Sequence, residues 1–385
     1  MRSYRYKILL LACFTSCRLF AQIPVIGDSN AVEIANWNIE WFGKTGSGYG
    51  PSDEALQRHN VKSAIRATKI DLWGLCEIAN TNAFDSLLDS LPEYAAVVSP
   101  YFPEQKTGVL YNTSRFSLIS SELLGTQQKD SFTTGRYPFL VALKPLFNTS
   151  IDTLFVIVLH IKANIGNSSE KLAAYNSRLR SSEWLQMYLF KTMTKRYCMV
   201  LGDWNDDIDA SIFNALPSPY VNLRDNTSGF TFTTQKFTDN HIGTTTAYPD
   251  AIDHQYISSP LKKLWMSSST ELLKLNQHIA NYSTTTSDHY PVYSLFKEQS
   301  SDLPTVGYNG SIILYPNPSS SSFSVHFDGK APIQLQLFNA MGQCLLTTSI
   351  HADQSVDTSN LPSGIYTICI NCNGKISTQL ISILH

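Results

Sequence analysis

Short, largely apolar runs recur along this chain with helical spacings set between them. Val32–Trp37, Leu72–Cys76, Leu154–Leu159 and Tyr197–Leu201 read as strands. Between the first two, Val61, Ala64, Ile65 and Thr68 fall on one helix face. Between the last two, Leu172, Tyr175, Leu179, Ser182, Leu185 and Leu189 do the same. Strand, helix, strand, stated twice, predicts an α/β domain. Gly108–Tyr111 and Phe139–Leu143 read as further strands, so the sheets are expected to be mixed rather than purely parallel. Past Glu298 periodicity vanishes, and 299–311 reads as a linker. Beyond it Phe323–Phe327 and Ile333–Leu337 alternate with period two. Turn signals at Pro316-Asn-Pro318, Met341-Gly342, Pro362-Ser-Gly364 and Asn373-Gly374 punctuate them. That pattern predicts a small all-β sandwich over 312–385.

Composition agrees with this division. The chain has 385 residues, enough for two domains, and 43% hydrophobic against 16% charged residues excludes a disordered charged tail protein. The formal net charge is −2. Four cations (Arg2, Arg5, Lys7, Arg18) and no acid lie in the first 21 residues, so the remainder is more acidic still. A strongly basic nucleic-acid binder is excluded; local contact with a phosphodiester through a metal is not. The basic start followed by the short apolar run Ile8–Phe14 predicts a signal peptide over 1–21, cleaved near Ala21. A lipid anchor at Cys17 fits less well, because Phe14 is a poor residue at the start of its recognition sequence. No later run is long and apolar enough to span a membrane. The five remaining cysteines are an odd number without framework spacing. Cys76 and Cys198 sit in apolar runs and read as buried thiols. Cys369-x-x-Cys372 has no second pair to complete a zinc site.

The candidate chemistry sits where the strands end. Asn38 follows the first, Glu77 the second and His160 the third. Asp203 and Asn205 follow the fourth. Asp253 lies in Ala251–Ile257, and Asp288-His289 precedes Tyr290–Tyr293. Strand ends are where α/β proteins bind ligands. Capping alone does not account for six such ends. Asn38, Glu77, Asp203, Asn205 and Asp288 offer hard oxygens suited to Mg2+, Mn2+ or Ca2+ rather than zinc. His160 and His289 are isolated, which suits proton transfer or phosphate contact. Gly43-Lys44-Thr45 is not a P-loop, since Asn38 stands where that motif needs glycine. Asp206, Asp207 and Asp209 read as a solvated turn, with a calcium loop as the rival.

In order, Asn36–Glu40, Leu75–Ile78, Gly108–Tyr111, Gly135–Pro138, Leu159–Lys162, Gly202–Asp206, Ala251–His254 and Ser287–Val292 resemble the endonuclease/exonuclease/phosphatase superfamily, the DNase I-like fold. The resemblance covers roughly 30–297. It implies a four-layer α/β sandwich, with a catalytic domain over 22–298 and the site at one edge of two packed sheets. It implies that Asn38, Glu77 and Asp288 hold the metal. Asp203 and Asn205 position the nucleophile, the phosphate or a second ion, and His289 is the catalytic imidazole oriented by Asp253. His160 contacts the phosphate or leaving group, and Asn38 and Arg136 contact phosphate. Cys76 stands where the family has glutamine, and Tyr137 where the DNase I branch has glutamate. No carboxylate partner for His160 is evident, Glu104 being the one offered. Leu314–Pro318, Leu337–Gly342 and Asn360–Tyr366 resemble the type A C-terminal sorting domain of type IX secretion substrates, which implies passage through that machinery to the medium or cell surface.

The expected function is therefore a secreted, divalent-metal-dependent phosphodiesterase, monomeric, acting on nucleic acid with DNA favoured. A phosphoesterase of the same fold acting on phospholipid, sphingolipid or inositol phosphate is the alternative. A non-catalytic surface-binding protein is the remote one. Lys44, Lys106, Arg136 and Lys162 are the candidate cations for DNA contact.

Overall fold

The computed structural model describes residues 21–27, 31–46, 48–101, 104–147, 151–297, 312–327, 332–372 and 375–385. The chain divides into two compact units, Met1–Gln299 and Ser300–His385. The expected signal peptide, apart from Ala21, and the expected linker over 299–311 lie outside the described residues, as does the side chain of Cys372.

The strands of the first unit are β1 Ala31–Phe42, β2 Leu72–Ile78, β3 Tyr94–Val98, β4 Lys106–Asn112, β5 Phe116–Leu123, β6 Phe139–Pro145, β7 Leu154–His160, β8 Tyr197–Asp203, β9 Phe230–Phe232, β10 Asp253–Ser258, β11 Glu271–Leu272 and β12 Val292–Lys297. They form two six-stranded sheets, ordered β11-β12-β1-β2-β4-β3 and β5-β6-β7-β8-β10-β9. Only β1–β2 and β7–β8 pair in parallel; the other pairs are antiparallel. These two parallel pairs are the strand–helix–strand units read from the sequence, bridged by α1 Glu54–Thr68 and α3 Ser168–Thr192.

Period-two alternation distributes each strand between two cores. Ala35, Trp37 and Ile39 of β1 face α1 and a second helix, α2 Thr81–Leu88, packing with Val61, Ile65 and Phe84. Val32 and Ile34 turn the other way and meet Leu72, Cys76, Val156, Val158, Met199 and Leu201 between the sheets. Ile157, Leu159, Cys198 and Val200 pack on Leu185 and Leu189 of α3. The result is four layers, helix–sheet–sheet–helix, in a DNase I-like fold. The sheets approach so closely at Gly74 that a Cβ there would lie 1.9 Å from Leu201 Cδ1.

α3 departs from the expected apolar face. Leu172 is 45% exposed, and the buried side carries Ser177, Arg178, Ser181 and Ser182. The reason is a buried ion pair: Arg178 Nε donates to Asp206 Oδ2 at 2.9 Å, both side chains being 0% exposed. Asp206 also accepts from Ser211 Oγ and Ile212 N, while Asp207 accepts from Ile208 N, Thr238 Oγ1 and Ala251 N. These two acids are therefore internal anchors of the loop after β8, neither a solvated turn nor an open calcium loop. Asp209 alone of the three is exposed.

The strands of the second unit pair antiparallel in two sheets. One sheet holds Ile312–Tyr315, Ser322–Phe327 and Ser355–Asp357. The other holds Cys344–Ile350, Ile333–Phe338, Gly364–Cys372 and Lys375–Ile383. Alternate residues Phe323, Val325 and Phe327 meet Leu335, Leu337, Ile368 and Ile370 in a common core. Among the described residues no helix is long and apolar enough to cross a membrane.

Candidate active site

The alternation that fills the inter-sheet core also builds the site. On β1, the face carrying Val32 and Ile34 continues to Asn36 and Asn38. On β7, Val156 and Val158 lead to His160; on β8, Met199 and Leu201 lead to Asp203; on β10, Ile257 leads back to Asp253. At one end of the sheets the apolar filling thus gives way to polar side chains. Glu77 breaks the alternation of β2. Its φ of 64° and the register shift between Leu75 and Ile78 kink the strand end, and the carboxylate comes to lie beside Asn38. Asn205, at φ 54°, marks a second such kink after β8. Left-handed backbone at non-glycine residues is strained and concentrates at functional sites. Gly202 has φ 129° and leaves room for the neighbouring strand, since a Cβ there would lie 2.2 Å from the Leu159 carbonyl oxygen.

These residues are in contact. Asn38 Nδ2 donates to Glu77 Oε1 at 3.1 Å and to Asp203 Oδ2 at 3.0 Å. His160 Nε2 lies 3.5 Å from Glu77 Oε1 and 3.6 Å from Asp203 Oδ2. His289 Nδ1 meets Asp253 Oδ2 at 2.8 Å, and its Nε2 is 3.9 Å from Asp203 Oδ2 and 3.8 Å from Asp288 Oδ1. Asn205 donates from its backbone to Asp203 Oδ1 and from Nδ2 to the Ile161 carbonyl. Arg136, also buried, reaches Gln105 and the Ile161 carbonyl. The first-predicted strand ends are thus assembled around one cavity of about 620 Å3, whose lining includes Glu77, Arg136, His160, Asp203, Asp288 and His289.

Supporting groups that sequence reasoning missed hold this set in place. Thr244 Oγ1 donates to Asp253 Oδ2 at 2.7 Å. Ser287 Oγ donates to the Asn38 carbonyl and accepts from His289 N, tying β1 to the Asp288–His289 segment. Glu40 Oε2 accepts from Asp288 N at 2.9 Å, and Trp41 N donates to Glu77 Oε2 at 2.9 Å. Ser287 and Glu40 stand in the short motifs already quoted, two positions from His289 and Asn38; that spacing was the available signal. Thr244 had none. Glu104, offered as the partner of His160, instead pairs with Lys44 at 2.7 Å, its exposed carboxylate meeting a part-buried lysine. His160 has Glu77 and Asp203 at its Nε2 instead.

The electrostatics are those of crowded, buried acid. Burial raises the Asp203 carboxyl, with Asp253 and Glu77 adding to the rise against the pull of His289. Burial and the Asp288 charge push Glu40 up to about 8. Burial lowers His160, and the Arg136 charge lowers it further, so its ring is held neutral. Burial also opposes charge on His289, but the Asp253 and Asp203 carboxylates override it and raise that imidazole. Two groups have ligand atoms within 4.8 Å of one another, Glu77–His160–Asp203 and Asp203–Asp253–His289. His160 Nδ1, Arg136 Nε and Asp253 Oδ1 are buried without a hydrogen-bond partner among the described residues. Carboxylates compressed in this way, with a neutral imidazole beside them, fit a divalent cation, which offsets the charge that burial disfavours.

No curated protein matches the chain. Solved structures with a similar fold include D. rerio TDP2 humanized by 14 mutations (15% identity, TM-score 0.53, covering 69% of this chain and 99% of that one). D. rerio TDP2 complexed with a single strand DNA product is similar too (14%, 0.52, 70% and 100%). So is an endonuclease/exonuclease/phosphatase from Bacteroides vulgatus (15%, 0.50, 70% and 99%). At these identities the likeness is one of fold. Residues 313–383 match the Secretion system C-terminal sorting domain, which indicates export and a secreted or cell-surface protein. The pattern of the Endonuclease/Exonuclease/phosphatase family runs from residue 35 to residue 289, from within β1 to the imidazole that faces Asp253. That span takes in every strand end described above and all of both sheets but β12 and the start of β1, and the chain belongs to this family.

Proposed function

We propose that this protein is a secreted, divalent-metal-dependent phosphodiesterase that hydrolyses nucleic acid, DNA in the first place. The observation that carries the reading is the His289–Asp253 pair, 2.8 Å apart, with His289 Nε2 turned toward the cavity beside Asp203. Asp253 fixes the ring with Nε2 toward the cavity; once the carboxylate charges that raise this imidazole are offset, Nε2 takes a proton from, or aligns, a water for in-line attack on phosphorus. Asp203 and Asn205 hold that water and the phosphate in register. Asn38, Arg136 and His160 donate to phosphoryl oxygens as charge develops on them, a type of contact worth about 2.7–4 kcal/mol for one donor. Glu77, Asn38 and Asp288 are the metal's residues in this reading, with His160 and Asp203 near enough to share it. A divalent cation held by these residues would supply charge to offset that developing on the phosphoryl and leaving oxygens. The ion is Mg2+, with Mn2+ or Ca2+ as substitutes.

Nucleic acid is preferred as substrate because a DNA product was found on a neighbour of this fold. In addition Arg136 and Lys162 line the cavity with cations. Export belongs to 312–385 and chemistry to 22–298. The test is incubation of the purified protein with plasmid DNA, RNA, phospholipid and inositol phosphate, with and without Mg2+. Nicking or degradation of DNA only with the ion supports the reading. Release of phosphate or headgroup from lipid or inositol phosphate, with DNA untouched, overturns it in favour of the lipid class.

A further inference from the structure

A second cavity, of about 630 Å3, adjoins the 620 Å3 cavity of the candidate active site. The two share Lys162 and Ile165 in their linings, so they meet over the loop that leaves His160. The far wall of the second is one side of α3, with Ala173, Asn176 and Arg180, and Thr133 closes it. Each cavity alone is within the ~300–1,000 Å3 range of a ligand pocket. A phosphate with a compact headgroup is accommodated by the first alone.

The second cavity holds two cations, Lys162 and Arg180, against one acid, Glu170, whose Oε2 accepts from Asn167 N at 2.7 Å in a capping box. Asn167 Oδ1 in turn accepts from Ser169 N and Glu170 N, so the first amides of α3 are satisfied internally and offer nothing to an anion. Lys162 and Arg180 remain. Arg180 Nε donates to the Asp130 carbonyl at 3.1 Å, which steadies the guanidinium at the cavity edge. At the junction Ile165 is 66% exposed, an apolar surface beside Lys162 in the shared lining.

A cation and an exposed apolar side chain at the junction, with a second cation in the adjoining cavity, suit the phosphates and the sugar or base of a polynucleotide. We propose that the second cavity is the subsite for nucleotides flanking the scissile phosphate, their phosphates held by Lys162 and Arg180 and a sugar or base resting on Ile165. The substrate is then a polynucleotide strand, not a headgroup. This rests on the nuclease reading above.

The test is the dependence of kcat/KM on chain length, measured on the full-length protein with Mg2+. The substrates are bis(4-nitrophenyl) phosphate, a thymidine dinucleotide, a tetranucleotide and an octanucleotide. From dinucleotide to octanucleotide kcat/KM rises by roughly tenfold or more, as expected for an added charge-assisted contact. Arg180→Ala removes most of that rise. It also flattens the slope of log kcat/KM against log salt on the octanucleotide by about 0.7, the contribution of one phosphate contact on a single strand. A merely structural role for Arg180 does not move that slope. Ala173→Trp, on an exposed helix position, fills the cavity and removes the rise without touching a charge. Equal kcat/KM at all lengths overturns the proposal, as does a full rise with an unchanged salt slope in both variants. If bis(4-nitrophenyl) phosphate is hydrolysed while length has no effect, only the subsite is wrong. If no phosphodiester is hydrolysed at all, the nuclease reading fails and the subsite fails with it.

Discussion

Asp253 Oδ2 takes the Nδ1 side of His289 at 2.8 Å, and that bond decides which nitrogen of the ring faces the cavity. The two residues belong to different sheets: Asp253 opens β10, and His289 precedes β12. Their pairing therefore reports the register of one sheet on the other. Gln255, two residues along, reinforces that register by donating to the Ile34 and Val292 carbonyls and to Asn36 Oδ1.

The dyad should be separable from the fold. His289→Ala is expected to lower kcat by about 10²–10⁴-fold, the usual worth of acid–base assistance. Asp253→Asn should also lower kcat, because an amide no longer selects the tautomer with Nε2 free to accept. Circular dichroism should show both variants folded. Wild-type kcat in a folded His289→Ala protein removes this imidazole from the reaction.

Relief of buried charge predicts a stability response to the metal. With Mg2+ at 100 times its Kd, the protein should gain about 2.7 kcal/mol over the chelated form. Activity should vanish in EDTA and return with Mg2+ or Mn2+. Glu77→Gln should abolish the thermal shift, since Glu77 is shared by Asn38 and the neutral His160. Full activity in excess chelator, with no shift in Tm, contradicts the metal assignment.

His254 provides a pH signature outside the metal residues. It is buried, its Nδ1 against Thr234 Oγ1 at 3.0 Å and its Nε2 against the Asp206 carbonyl at 3.2 Å. Burial lowers its pKa in the folded state, with Asp207 and Asp253 working against that shift. Below the unfolded value near ~6.5, the unfolded chain binds a proton that the folded chain refuses. The stability it contributes is therefore complete above that pH and is lost as the pH falls. Measured by urea unfolding, the advantage of wild type over His254→Gln should be flat above that pH and shrink below it. An advantage that grows on acidification gives His254 the opposite role.

Much of this was legible in the sequence, and the reasons are specific. Alternation with period two carries Asn38, His160, Asp203 and Asp253 to the same inter-sheet space, because the apolar residues on the same face of each strand had to fill it. What eluded the pattern depends on pairing between distant segments. The serine-rich buried side of α3 makes sense only once Arg178 is seen to need Asp206. Asp206 and Asp207 resemble surface acids until their donors from the loop and from Thr238 and Ala251 are known. Glu77 reaches Asn38 through a left-handed kink that no strand periodicity announces.

The division of labour between the two units also makes a prediction. The sandwich of 312–385 has its own core, and every candidate site residue precedes Pro291. A chain ending at residue 299 should fold and keep its specific activity when secreted into a heterologous periplasm. In the native host it should stay within the cell envelope. An inactive truncated protein, or one found in the medium, contradicts that division.

The most direct measurement is cleavage of an end-labelled DNA oligonucleotide by the purified protein, followed on a denaturing gel. The account predicts shortened fragments with Mg2+, none in EDTA, and none from the folded His289→Ala variant with Mg2+. Intact DNA under Mg2+ and Mn2+ alike, with a phospholipid or inositol phosphate hydrolysed by the same preparation, would contradict it.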